Sequence, residues 1–219
     1  MPLSISVPEE ILQMIAGWKE QTPARGRVLI PIKPRAKHAI IVTCGDPRFM
    51  VEQSAHFISL YGGPDGVSNA YMMTKVGGAV RLVPGKDRDV HFLSILSEVR
   101  EVTELFGLGG EDEIDLWLCS HIECRWCLKA GLDLYQTFNR LQQSGVSYGL
   151  SLEPERNEPR FNVRHGFHHF WPRTGNHKTY ELDLELAMRE LAVQPRGIEP
   201  ATLDPSDDEA QTRTKYALG

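Results

Sequence analysis

Residues 39–48 read AIIVTCGDPR and residues 114–124 read IDLWLCSHIEC. Each stretch is a short, mainly apolar run that stops abruptly at residues capable of chemistry. Such runs suit strands buried on both faces, the pattern of a parallel sheet rather than of a half-wet antiparallel one. A third run, Ala70 to Val76, ends in Gly77-Gly78. The strands expected from this pattern are Ala39 to Thr43, Ala70 to Val76 and Ile114 to Cys119. Val146 to Leu150 is a fourth candidate.

The segments between these runs carry helical spacing. Val51 to Leu60 is a helix candidate that ends at the turn-like YGGPDG. Asp87 or Asp89 can cap a helix whose core face includes Val90, Leu93, Leu96 and Val99 and which stops near Gly107. After Cys124, Leu128, Leu132, Tyr135, Phe138 and Leu141 recur at helical intervals, with Ser144-Gly145 as the expected end. His165 to Trp171 and His177 to Leu182 flank RTGN and predict a hairpin or an edge strand. Asp183 to Leu191 is amphipathic, with Leu184, Ala187, Met188 and Leu191 on one face. At the N-terminus Ser6 and Glu9 have capping-box spacing, Pro8 sits in the first turn, and Ile11, Leu12, Ile15 and Trp18 form a stripe.

Strands alternating with helices imply an α/β domain with a mostly parallel central sheet flanked by helices. The expected organisation is an N-terminal helix and connecting arm (1–35), a single α/β domain (36–196) and a polar tail (197–219). Ligands of open α/β sheets bind beyond the carboxyl ends of the strands. CGDPR, VGG and CSHIEC all fall at such ends, so they are expected to open onto one crevice.

With 24 Lys and Arg against 29 Asp and Glu, the net charge is -5. No basic run marks a nucleic-acid face, so nucleic acid is not an expected partner. No stretch of 18 apolar residues marks a membrane span, and MPLSISVPEEILQ lacks the basic-then-apolar start of a signal peptide. A cytoplasmic protein is expected. Three of the four cysteines, Cys119, Cys124 and Cys127, cluster around His121. In a reducing compartment such a cluster points to metal or catalysis rather than to disulfides.

Thiolate sulfur and imidazole nitrogen are good zinc ligands, and three protein ligands leave a fourth position for water. Cys44, His121 and Cys124 form one such set, for one zinc ion per chain. Cys119, His121, Cys124 and Cys127 form an alternative, a self-contained structural knuckle, and Cys124-x-x-Cys127 also has the spacing of a redox pair. His165, His168, His169 and His177 invite a second metal site, although adjacent strand residues such as His168 and His169 point to opposite faces.

Cys44-Gly45-Asp46-Pro47-Arg48 followed by His121-Ile122-Glu123-Cys124 resembles, in order and in composition, the Cys-x-Asp-x-Arg and His-x-x-Cys motifs of the β-class carbonic anhydrases. The resemblance covers roughly residues 35 to 185. It implies that fold with an N-terminal helical arm, and zinc held by Cys44, His121 and Cys124. It also implies that Asp46 either closes the site or pairs with Arg48, and that carbon dioxide is hydrated reversibly through a zinc-bound hydroxide. Small-molecule substrate and a homodimer or dimer of dimers are implied as partners. Gly77 and Gly78 would line the pocket. Where the family usually has Arg-Asn-Ala-Gly this chain has Lys75-Val76-Gly77-Gly78, and where it usually has Gly after the second cysteine ligand this chain has Arg125. Relatives on the same scaffold hydrolyse carbonyl sulfide or carbon disulfide, and a zinc-binding member with little activity is a further possibility.

Overall fold

In the computed structural model the described residues are 9–21, 26–63, 68–81, 90–152, 157–171 and 176–193. Ser6, Pro8, Asp87, Asp89 and the tail 197–219 lie outside them, as do parts of the YGGPDG and RTGN turns. The elements in chain order are α1 (Glu9–Glu20), β1 (Leu29–Ile30), β2 (His38–Cys44), α2 (Pro47–Leu60), β3 (Ala70–Lys75) and a 3-10 turn (Gly78–Arg81). They continue with α3 (Val90–Leu105), β4 (Glu113–His121), α4 (Arg125–Lys129), α5 (Leu134–Ser151), β5 (Arg160–Trp171), β6 (Asn176–Leu182) and α6 (Leu184–Ala192).

The six strands form one sheet in the order β1-β6-β5-β4-β2-β3. The pairs β2–β3, β2–β4 and β4–β5 are parallel, while β5–β6 and β1–β6 are antiparallel, so the sheet is mixed. The long apolar runs take the inner positions. In β4 every residue but Glu113 is buried, as expected where helices cover both faces.

Strand alternation divides the core in two. Ile40, Val42, Ile114, Leu116 and Leu118 join a large cluster with α1, α3, α5 and α6, whereas Ala39, Ile41, Trp117 and Cys119 face Phe57 of α2 and the adjoining Tyr61. Trp18 packs on this same core: its ring lies 6.3 Å from Phe138, and its Nε1 donates to the Glu190 carboxylate. Asp183 caps α6 through the Leu186 amide.

Several expectations are corrected. The buried face of α3 is Phe92, Ile95, Val99 and Val102, while Val90 and Leu93 are exposed; the core-facing stripe is rotated from the one their spacing implied. The helix after Cys124 is two helices, broken at Gly131 with φ +65 and restarted by a reciprocal capping box between Asp133 and Gln136. Ser144-Gly145 does not end α5, and Val146 to Leu150 is its last turns rather than a strand. The small residues there serve packing instead. Ser144 Oγ donates to the Ala79 carbonyl at 2.7 Å, and a Cβ on Gly145 would lie 2.4 Å from His165 Nε2. The hairpin is present, but β5 is an inner strand and not an edge.

On the α2 face a buried polar network ties strands together. Asp115 Oδ2 accepts from Tyr61 at 2.6 Å, from Arg164 at 3.1 Å and from the Arg35 amide at 2.8 Å. Arg164 continues to Glu181 and to the Lys33 carbonyl, and its guanidinium lies 4.1 Å from the Trp117 ring centroid. Every member has a partner, which is the condition for burying charge.

His165 is different: burial lowers its pKa from 6.5 to about 4, and its Nε2 has no hydrogen-bond partner. The folded chain therefore keeps it neutral where the unfolded chain would protonate it. Stability is expected to rise with pH between about 4 and 6.5, at up to about 1.4 kcal/mol per pH unit for this one group. Urea unfolding at pH 7 and at pH 5 measures the effect, and His165→Gln should lessen the difference, to which His169, lowered to about 4 by burial, also contributes; an unchanged difference would remove His165 as a source.

Candidate metal centre

The parallel register brings the motif ends together. β2 lies between β3 and β4, with Cys44 paired to Lys75 and with Val42 paired to Leu118. The chain leaves β2 at Cys44 and β4 at His121, both at the carboxyl edge. The Gly45 amide bonds the Lys75 carbonyl at 3.1 Å, and the Ile122 amide bonds the His168 carbonyl at 3.3 Å, so both exits are fixed to a neighbouring strand. Cys124 then folds back because Glu123 has φ 56. A non-glycine residue in that left-handed region is strained.

Cys44, His121 and Cys124 are buried, and their ligand atoms all lie within 4.8 Å of one another; the trio could hold a metal ion. The two Sγ atoms are 4.0 Å apart, close to the roughly 3.8 Å that two bonds of about 2.3 Å subtend at a tetrahedral ion. His121 Nδ1 lies 2.8 Å from the Ile122 carbonyl, an acceptor, so Nδ1 carries the proton. The lone pair is then on Nε2, which is buried and has no protein partner. An imidazole oriented in this way is ready to ligate.

Without a metal the thiols stay neutral. The neighbouring Cys124 thiol and burial push Cys44 up to about 12, while Cys127 raises Cys124 to about 11. Metal loading must expel both protons, and the ion's charge supplies the compensation.

Asp46 does not join the trio as a fourth ligand. Its Oδ1 caps α2 through the Arg48 amide at 3.1 Å and accepts from Arg48 Nε at 3.0 Å, while Oδ2 accepts from Arg48 Nη2 at 2.8 Å. These Arg48 hydrogen bonds hold the Asp46 carboxyl below its ordinary pKa, although burial opposes them. Arg48 also donates to the Glu123 carbonyl at 3.0 Å, so one guanidinium joins the first motif to the turn of the second. The Phe49 ring lies 4.3 Å from the His121 ring and 5.0 Å from the Arg48 guanidinium.

Gly78 sits behind the trio. With φ +56, a Cβ there would lie 2.9 Å from the Cys44 amide nitrogen and 3.0 Å from the Cys119 carbonyl oxygen. Gly77 faces the Trp126 ring instead. Lys75 pairs with Glu98 at 3.4 Å.

The alternative metal sets do not gather among the described residues, although the Cys127 thiol lies against that of Cys124. Cys119 and Cys127 are buried, but among the described residues they join no group of three or more ligands. His168 Nδ1 bonds Thr179 Oγ1 at 2.7 Å on one sheet face, while His165 lies against Gly145 of α5; the His177 side chain is outside the described residues. Sequence reasoning missed Glu123 and Phe49. Glu123 was legible only as a position inside the His-x-x-Cys turn, and nothing local distinguishes Phe49 from any core-facing aromatic in a helix.

Neither a protein-family model nor a curated protein matches the chain.

Two substitutions probe this centre. Cys44→Ser removes one soft ligand, so divalent metal bound per chain, measured by elemental analysis after dialysis, should fall at least tenfold; a full equivalent retained would exclude this ligand set. Gly78→Ala places a methyl against two backbones at a left-handed φ. It should lower stability by about 1–3 kcal/mol and weaken metal retention, as read by thermal unfolding and by competition with a chelator.

Proposed function

We propose that this chain is a zinc-dependent lyase that hydrates carbon dioxide reversibly, on a fold of the β-class carbonic anhydrase type. The observation that carries the reading is the buried Cys44–His121–Cys124 trio beside an Asp46 carboxylate held by Arg48. The two motifs resemble that family in order and composition, and the burial of the trio together with the Arg48 grip on Asp46 supports the reading.

Two thiolates and one imidazole are a donor set that suits zinc better than a hard cation. Three protein ligands leave a position open, as in catalytic rather than structural sites. When bound, zinc supplies Lewis acidity that makes a water reactive near neutral pH.

The chain's own groups supply the rest. Asp46, kept ionised by Arg48, is an acceptor only. It can fix the direction of a proton on a reacting water while Arg48 keeps the carboxylate from closing the site. The bidentate grip makes that position stiffer than a single hydrogen bond would. Phe49 covers His121 on the α2 side and limits access by bulk water there. A small, uncharged substrate needs no dedicated cation in the pocket, and Lys75 is engaged by Glu98.

The test is stopped-flow hydration of carbon dioxide between pH 7 and 9 on protein carrying one zinc per chain. The wild type should exceed the uncatalysed rate throughout. Asp46→Asn should keep its zinc yet lose on the order of a hundredfold in rate. No rate above background at full zinc content would reject the lyase. Sulfide release from carbonyl sulfide, measured alongside, would move the assignment to a hydrolase on the same site; zinc with neither activity would leave a binding role.

A further inference from the structure

Cys124 meets two other sulfurs. Cys44 Sγ stands 4.0 Å from its Sγ, and the Cys127 thiol lies against it as well. All three are buried free cysteines. The second contact follows from helix geometry. Cys124 is the N-cap of α4 and Cys127 its third residue, the two positions whose side chains meet in a capping box. Asp133 and Gln136 hold the same two positions in α5 and are joined there by reciprocal hydrogen bonds. In α4 both positions carry sulfur, so neither thiol crosses the sheet to reach the other.

Cys127 is not a member of the trio. A metal held by Cys44, His121 and Cys124 therefore leaves Cys127 a thiol beside a ligand thiolate. That is the arrangement of a reactive sulfur with a resolving neighbour. Cys119 stands apart: it belongs to the other core cluster, packed so closely that a Cβ on Gly166 would lie 2.5 Å from its sulfur. The backbone around Cys124 also favours its release. Glu123 before it is held at φ 56, and α4 after it is only five residues long. Letting Cys124 leave the trio relaxes the strained residue and disturbs few helical hydrogen bonds.

We propose that Cys124 and Cys127 are an oxidation site, which a small hydroperoxide closes to a disulfide at the expense of the metal centre. The inference rests on the trio holding a metal, as read above. The Cys124 thiolate attacks one peroxide oxygen, the O–O bond breaks, and hydroxide leaves a sulfenic acid on Cys124. Cys127 Sγ then attacks that sulfur and the S–O bond breaks; the Cys127 proton and the departing hydroxide leave as water. Two sulfurs are oxidised by one electron each, and one hydroperoxide is reduced by two. The trio is left with Cys44 and His121, two donors where zinc takes at least three from a protein.

The test starts from the full-length chain carrying one zinc, freed of reductant and exposed to excess hydrogen peroxide. Zinc release is followed with a chromophoric chelator, remaining thiols are alkylated, and the disulfide is mapped by peptide mass spectrometry. Wild type should release its zinc as a Cys124–Cys127 bridge forms, with Cys44 and Cys119 alkylated, and dithiothreitol with added zinc should restore the starting content. In Cys127→Ala and in Cys127→Ser, Cys124 should instead carry added oxygen, and the zinc restored should fall at least threefold. Circular dichroism and zinc content before peroxide show that each variant is folded and loaded. A bridge that maps to Cys44 and Cys124 overturns the proposal, as do wild-type thiols that survive peroxide or alanine and serine variants that recover zinc as wild type does. Zinc content before peroxide tests the centre separately: a chain that holds no zinc yet forms the Cys124–Cys127 bridge rejects the centre and keeps the oxidation site.

Discussion

The parallel pairing of β2 with both β3 and β4 is the constraint on which the rest depends. Parallel strands bring like ends to one edge. Three chain exits therefore converge there, one after Cys44, one after Lys75 and one after His121. The consequence is chemical as well as architectural. Cys44 and Cys124 are 80 positions apart in sequence, yet the register, together with the turn at Glu123, leaves their sulfurs at a separation that a single ion can span. An antiparallel partner for β2 would have carried one of these exits to the far edge. Among the described residues the mixed half of the sheet, β5, β6 and β1, adds no member to the trio. It supplies the flank against which β4 is buried and anchors the turn after His121 through the His168 carbonyl.

Arg48 does for the site what the register does for the sheet. It reaches Asp46 through two nitrogens and Glu123 through its carbonyl. The first contact sets where a carboxylate points, and the second fixes the strained turn that presents Cys124. Lysine has no planar fork to meet both demands at once. The position therefore couples the two motifs mechanically, and a change there would disturb the cradle as well as the carboxylate.

Strand positions were legible in the sequence because two-face burial leaves a local signature. AIIVTC and IDLWLC are buried nearly throughout and read as such. Helices were less legible where small residues play two roles. Ser144-Gly145 has the composition of a helix end, but both residues sit inside α5, where a larger side chain would meet Ala79 or His165. That reason is tertiary and leaves no trace in neighbouring positions. The stripe of α3 was misjudged for a similar cause: Val90 and Leu93 are as apolar as Phe92 and Ile95, and only the sheet decides which pair is covered. Of the site, the ligands were legible through residue type and position at strand ends. The choice of Asp46 for Arg48 was not, since that needs the geometry of the α2 cap.

Two buried polar clusters among the described residues differ in kind, and their difference separates scaffold from candidate site. Around Asp115 and Arg164 every donor meets an acceptor, so that cluster is complete as it stands and needs no further component. The trio at the sheet edge inverts this pattern. His121 Nε2 is buried without a partner, the two thiols face each other, Glu123 is held at a positive φ, and Gly78 leaves no room for a side chain. The orphaned Nε2 and the strained Glu123 each disfavour the folded chain, by an amount on the order of 1–3 kcal/mol. A folded protein tolerates such departures singly and at scattered places. Here they share one crevice, and a single tetrahedral ion would satisfy the nitrogen and both sulfurs together. Unsatisfied chemistry concentrated at one sheet edge is thus the property that marks this edge, and not the well-bonded network beneath α2, as the working end of the molecule.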